Sequence, residues 1–92
     1  MYVAFGAMLP KGYQQISGLA ASTALTVPAG AAVAVIQALT QNVRYRDDGG
    51  VPTSAVGMRL TAGNDMLFAG SLTAVRFIQE SATAELNVLY YG

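Results

Sequence analysis

Polar and apolar residues alternate along Glu85–Tyr91 (ELNVLYY), with Leu86, Val88 and Tyr90 on one side and Glu85, Asn87 and Tyr91 on the other. Only Leu89 breaks the rule. A period of two marks a strand with one buried and one open face. Ala74–Glu80 (AVRFIQE) repeats it and sets Val75 and Phe77 opposite Arg76. In VGMRLTAGND, Met58 and Leu60 are expected inward and Arg59 outward, before a Gly63-Asn64-Asp65 turn. Met66–Phe68 follows as a short run and ends in an Ala69–Ser71 turn. Strand candidates thus recur about every 8–12 residues with turn formers between them, the spacing of a sandwich or barrel.

The longest patterned stretch is Ala31–Arg46. Val33, Val35, Leu39, Val43 and Tyr45 share one parity, and Ala34, Ile36, Ala38, Thr40, Asn42, Arg44 and Arg46 the other. Most strands are about 5–6 residues long, so two strands with a bend near Gln41-Asn42 fit better than one. Alanine favours a helix over Ala29–Leu39, but the β-branched residues and the surrounding pattern favour a strand. Before it, LTVPAG predicts a strand ending at Pro28 and a Pro-Ala-Gly turn. Residues 1–23 keep no period through Gly6, Pro10, Gly12 and Gly18, yet Tyr2, Val3, Phe5, Met8, Leu9 and Tyr13 make them too apolar for a loose tail. They are either a first strand with loops or an arm lying on a neighbouring subunit, with the β-domain proper at 24–92. The expected fold is all-β: an antiparallel β-sandwich, or jelly-roll-like barrel, of about seven short strands with an extended N-terminal arm.

Composition narrows function. The 92 residues are 53% hydrophobic and only 11% charged, against a usual charged share of about 25%. So small a domain cannot hide that much apolar surface, and large exposed patches mark interaction sites. Self-association, as a trimer or other homo-oligomer, or seating on another protein is therefore expected. A net charge of zero gives no basic footprint for nucleic acid. The uncharged run Gly12–Val43 is broken by Gly18, Pro28 and Gly30, and its most apolar part, Ala29–Leu39, falls short of the about 20 residues a spanning helix needs. MYVAFGAMLPKGYQQ lacks the charged start and apolar core of a signal peptide, so the chain is read as soluble and not exported by the general route.

Chemistry is sparse. The chain has no cysteine and no histidine, so a serine nucleophile would need Lys11, the only lysine, or an unusual base, and no tight metal site is expected. No catalytic residue and no cofactor is assigned. The exception to the dilute charge is QNVRYRDDGG, where Arg44, Arg46, Asp47 and Asp48 hold four of the chain's five cations and five anions. Adjacent aspartates on a strand point to opposite faces, and the further oxygen ligands of a calcium loop are missing. Asp48-Gly49-Gly50 instead suggests a carboxylate receiving backbone N–H groups at a strand end. Arg44 and Arg46, two apart, project from one face, with Val43 and Tyr45 on the other. Their expected partners are carboxylates from Asp47, Asp48, Glu80 or Glu85, in the same chain or a neighbour. The cluster either sets register at an interface or is a solvated loop end. Candidate interface residues are Arg44, Arg46, Asp47, Asp48, Tyr2, Phe5 and Tyr13. The tyrosines could also form a sugar platform, although packing suits Tyr45 and Tyr90 better.

Several motifs carry a resemblance. Pro28–Gly30, Ile36-Gln37, Gln41–Gly49, Pro52–Leu60, Gly70–Ile78 and Leu86–Tyr91 together resemble a group of small virion proteins of tailed bacteriophages. The likeness covers the last two thirds of the chain and carries no catalytic residue. It implies a non-enzymatic virion component assembled in the host cytoplasm. A capsid decoration (cement) protein binding the major capsid protein across capsomer seams is the first expectation. A collar, neck or fibre-associated module that binds a neighbouring virion protein or a host glycan is the other.

Overall fold

The computed structural model describes residues 8–92, and Tyr2 and Phe5 lie outside them. Eight strands and no helix occur among the described residues. They are β1 (Pro10–Ile16), β2 (Thr23–Ala24), β3 (Val33–Ala38), β4 (Val43–Arg46), β5 (Met58–Leu60), β6 (Asp65–Phe68), β7 (Arg76–Gln79) and β8 (Leu86–Tyr91). Two four-stranded antiparallel sheets result, ordered β1-β8-β3-β6 and β2-β7-β4-β5. The pairing is nested: β4 pairs with β5, β3 with β6, β2 with β7 and β1 with β8. The chain is thus one long hairpin doubled back at the β4–β5 loop, whose rungs fall alternately into the two sheets. Cross-pairs β3·β8 and β4·β7 complete each sheet.

Alternation along each strand supplies the core. In β8, Leu86, Val88 and Tyr90 are buried, as their spacing predicts. They sit opposite Ala38, Ile36 and Ala34 of β3, so the even positions of β3 form its inner face. From the second sheet Val43, Leu60 and Phe77 join the same core, with Leu19, Leu25, Leu72 and Val75 from the connections. Full burial of each large side chain contributes about 1.5–3 kcal/mol. Tyr90 brings a polar tip into this core and donates its hydroxyl to Gln14 Oε1 at 2.7 Å. Burial pushes its pKa up to about 12.

The connections follow local chemistry. The Pro28-Ala29-Gly30 turn closes with Ala31 N–H donating to the Pro28 carbonyl at 3.2 Å, and Gly30 takes the left-handed φ of 81° that the turn requires. The bend at Gln41-Asn42 is tied down because Asn42 Oδ1 accepts the Ala62 N–H at 2.8 Å and its carbonyl accepts the Glu80 N–H at 3.0 Å. Two expectations need correction. The strand expected to run to Pro28 forms ladder pairs only at Thr23 and Ala24, and Leu25–Pro28 is irregular. Met58 is not inward: it is 65% exposed. It has the inward parity, opposite Tyr45, but β5 is a three-residue edge strand with no neighbour beyond it to cover the thioether. Within residues 1–23, Pro10–Ile16 is an edge strand of the chain's own first sheet, with Lys11 as an extra residue at the register slip between Pro10 and Gly12.

Candidate interface site

The two sheets have outer faces of different character. On the second sheet, register places Arg46 directly opposite Arg76, and Arg44 opposite Arg59 on one side and Ile78 on the other. Tyr45 and Phe77 between them point inward, with ring centroids 5.8 Å apart. All four arginines of the chain therefore share one face. The sequence indicated that Arg44, Arg46, Arg59 and Arg76 each point outward. It gave no sign of a wider basic patch, because β4, β5 and β7 are brought side by side only by the fold.

Two carboxylates answer three of these cations. Glu80 Oε2 accepts from Arg44 Nε at 2.5 Å and from Arg59 Nε at 2.7 Å. Arg44 also donates to the Gly57 carbonyl at 2.9 Å, pinning the start of β5 to β4. Arg46 holds Asp48 in a two-pronged pair, Nε to Oδ1 at 3.0 Å and Nη2 to Oδ2 at 2.8 Å. Asp48 Oδ1 accepts the Gly50 N–H at 3.1 Å as well. A side chain at Gly50 would run into the Arg46 guanidinium, so glycine lets the loop close over that pair. Of the four expected carboxylates, Glu80 and Asp48 are the partners used. Asp47 is exposed, turned toward Gly70, and forms no ion pair among the described residues. An open groove of about 320 Å³ runs beside the cluster, between Tyr45, Arg46, Asp48 and the exposed Val56 and Met58.

Both carboxyls titrate low. The Arg46 guanidinium, helped by the Gly50 N–H, holds Asp48 down at about 2. Arg59 first, then Arg44, holds Glu80 below its ordinary value against partial desolvation. A carboxyl depressed in the folded state stabilises the fold fully above its unfolded pKa, about 3.9 for Asp and 4.3 for Glu, and loses that contribution as pH falls through the folded value. Urea midpoints measured from pH 7 to pH 2 should therefore be insensitive to this cluster above about pH 5 and decline between about pH 4 and pH 2. Asp48→Asn should flatten the lower part of that decline. An unchanged profile would mean that the Arg46–Asp48 pair does not form in solution.

The first sheet is different. Tyr13, Leu89, Val35 and Leu67 lie directly opposite one another across β1, β8, β3 and β6. Tyr13 is 60% and Leu89 41% exposed, and Val35 and Leu67 are half-buried. One rung along lie Gln15, Asn87, Gln37 and, on β6, Asp65. Tyr13 Oη donates to Asn87 Oδ1 at 2.6 Å, and Asn87 Nδ2 donates to Gln37 Oε1 at 3.1 Å. Tyr13 is thus separated from the arginine–aspartate cluster by the thickness of the fold. Leu89, the exception to the β8 alternation, is the sequence signal for this apolar row. No group of three or more potential metal-ligating side chains occurs among the described residues. Compared with known proteins, the chain matches no family model, no curated protein and no solved structure.

Proposed function

We propose that the chain is a non-enzymatic structural protein of a bacteriophage virion, a capsid decoration protein that assembles through the apolar outer face of its first sheet. The observation that carries this reading is the row Tyr13–Leu89–Val35–Leu67. It gives the outer face of the β1-β8-β3-β6 sheet an apolar row across all four strands, in addition to the apolar inner face. A sheet open to water on one side ordinarily alternates apolar-in and polar-out. A second apolar face is stabilised by being covered, and the neighbouring rung of Gln15, Asn87 and Gln37 is uncharged across three strands, with its one charge, Asp65, on the edge strand β6.

Two lines of support are independent of that face. The nested pairing of eight strands in two sheets suits a jelly roll, an architecture found in viral capsid proteins and lectins. The motifs from Pro28 to Tyr91 supply the resemblance to small phage virion proteins. Under this reading, purified protein added to empty expanded heads of the phage that encodes it binds them and raises their thermal disruption temperature. Absence of binding, with the chain found in the collar or tail, would replace decoration by the collar-associated alternative.

A further inference from the structure

We propose that the outer face of the second sheet docks an acidic segment of a partner protein, with Arg76 and Arg46 gripping one of its carboxylates. The face contains two like-charge pairs directly opposed across strands, Arg44–Arg59 and Arg46–Arg76. Such pairs destabilise a sheet unless an anion lies between them. For the first pair the chain supplies that anion: one oxygen of Glu80, a side chain only 15% exposed, serves both guanidiniums. For the second pair the supply is incomplete. Asp48 engages Arg46 alone, and Arg76 is exposed with no ion pair among the described residues. Residues 1–7, MYVAFGA, contain no acid that could serve it.

The charge balance points the same way. Four arginines less Glu80 and Asp48 leave this face at a formal +2, in a chain whose net charge is zero. The Glu80 arrangement also indicates the chemistry of the missing ligand, since a carboxylate already bridges two guanidiniums from adjacent strands in the next rung. A nucleic-acid backbone suits the face less well. Glu80 and Asp48 are embedded in the patch and would repel the closely spaced phosphates of a strand, every one of which is charged. An extended acidic peptide turns alternate side chains away from the sheet, so one carboxylate can reach Arg46 and Arg76 while its neighbours point away from Glu80 and Asp48. This surface lies on the other sheet from the apolar row, so the two proposals stand or fall separately.

The test is a titration of the full chain with hexaglutamate at low ionic strength, followed by backbone amide chemical shifts, with a hexathymidylate arm in parallel. Hexaglutamate should shift the amides of Arg46, Arg76 and their neighbours in β4 and β7 saturably. Arg76→Gln should weaken its binding about 1.5- to five-fold, the range of one exposed ion pair, while leaving the rest of the amide spectrum unchanged. Absence of saturable shifts on this sheet would overturn the proposal, as would equal affinity in Arg76→Gln. Tighter binding of hexathymidylate at the same amides would also overturn it, in favour of a phosphate ligand.

Discussion

Phe77→Ala is expected to remove about 3–5 kcal/mol of stability, the range for truncating a buried aromatic in a packed core. Phe77 is fully buried, sits on β7 between β2 and β4, and packs its ring against Tyr45 at 5.8 Å between centroids. Truncation would leave a cavity in the layer joining the two sheets, and strands on both sides are too short to collapse into it. β2 has two residues and β4 four, so neither can shift without losing its ladder. A domain of this size is stabilised by about 5–15 kcal/mol in all, so the variant should lie close to its unfolding threshold. In urea unfolding followed by circular dichroism, the midpoint should fall sharply, and the melting temperature should drop by about 12 °C or more. The exposed Val51 provides the contrast: Val51→Ala should change stability by no more than about 0.5 kcal/mol. A loss below about 1 kcal/mol for Phe77→Ala would place the centre of the core elsewhere.

The contrast between these residues also shows how far the sequence carries. Phe77, Leu86, Val88 and Tyr90 are legible as core because a period of two survives in their strands and each strand has neighbours on both sides. Met58 has the same parity and fails, since parity states only which way a side chain points. Whether anything lies there depends on the strand's place in the sheet, and β5 is an edge. The same reasoning applies to charge. The Arg44–Glu80 and Arg46–Asp48 pairs are among those the sequence suggests, because it offers few carboxylates to choose from. The gathering of Arg59 and Arg76 beside them was not legible, because β4 and β7 are separated by 29 intervening residues between Arg46 and Arg76. Nested pairing is a long-range property: turn residues mark where strands end, but they do not say which strand returns to which.

Leu89→Lys is expected to abolish self-association while leaving the folded monomer nearly as stable as before. Leu89 is flanked by buried Val88 and Tyr90, yet is itself 41% exposed at the centre of the apolar row, between Tyr13 and Val35. A lysine there can extend into water when the chain is alone, so its cost to the monomer should stay within about 0.5 kcal/mol. In an assembly that buries this row, the same ammonium would be desolvated with no carboxylate opposite, which costs several kcal/mol per copy. In a twofold arrangement the two lysines would also approach each other. Sedimentation at increasing concentration should therefore show an oligomer for the natural chain and a monomer for Leu89→Lys, with matching thermal unfolding at the lowest concentration. Val51→Lys, an equal charge change on an exposed residue of the other sheet's loop, should leave association untouched. Should the natural chain stay monomeric at high concentration, or should both lysine variants behave alike, the apolar row would not be the surface through which copies meet.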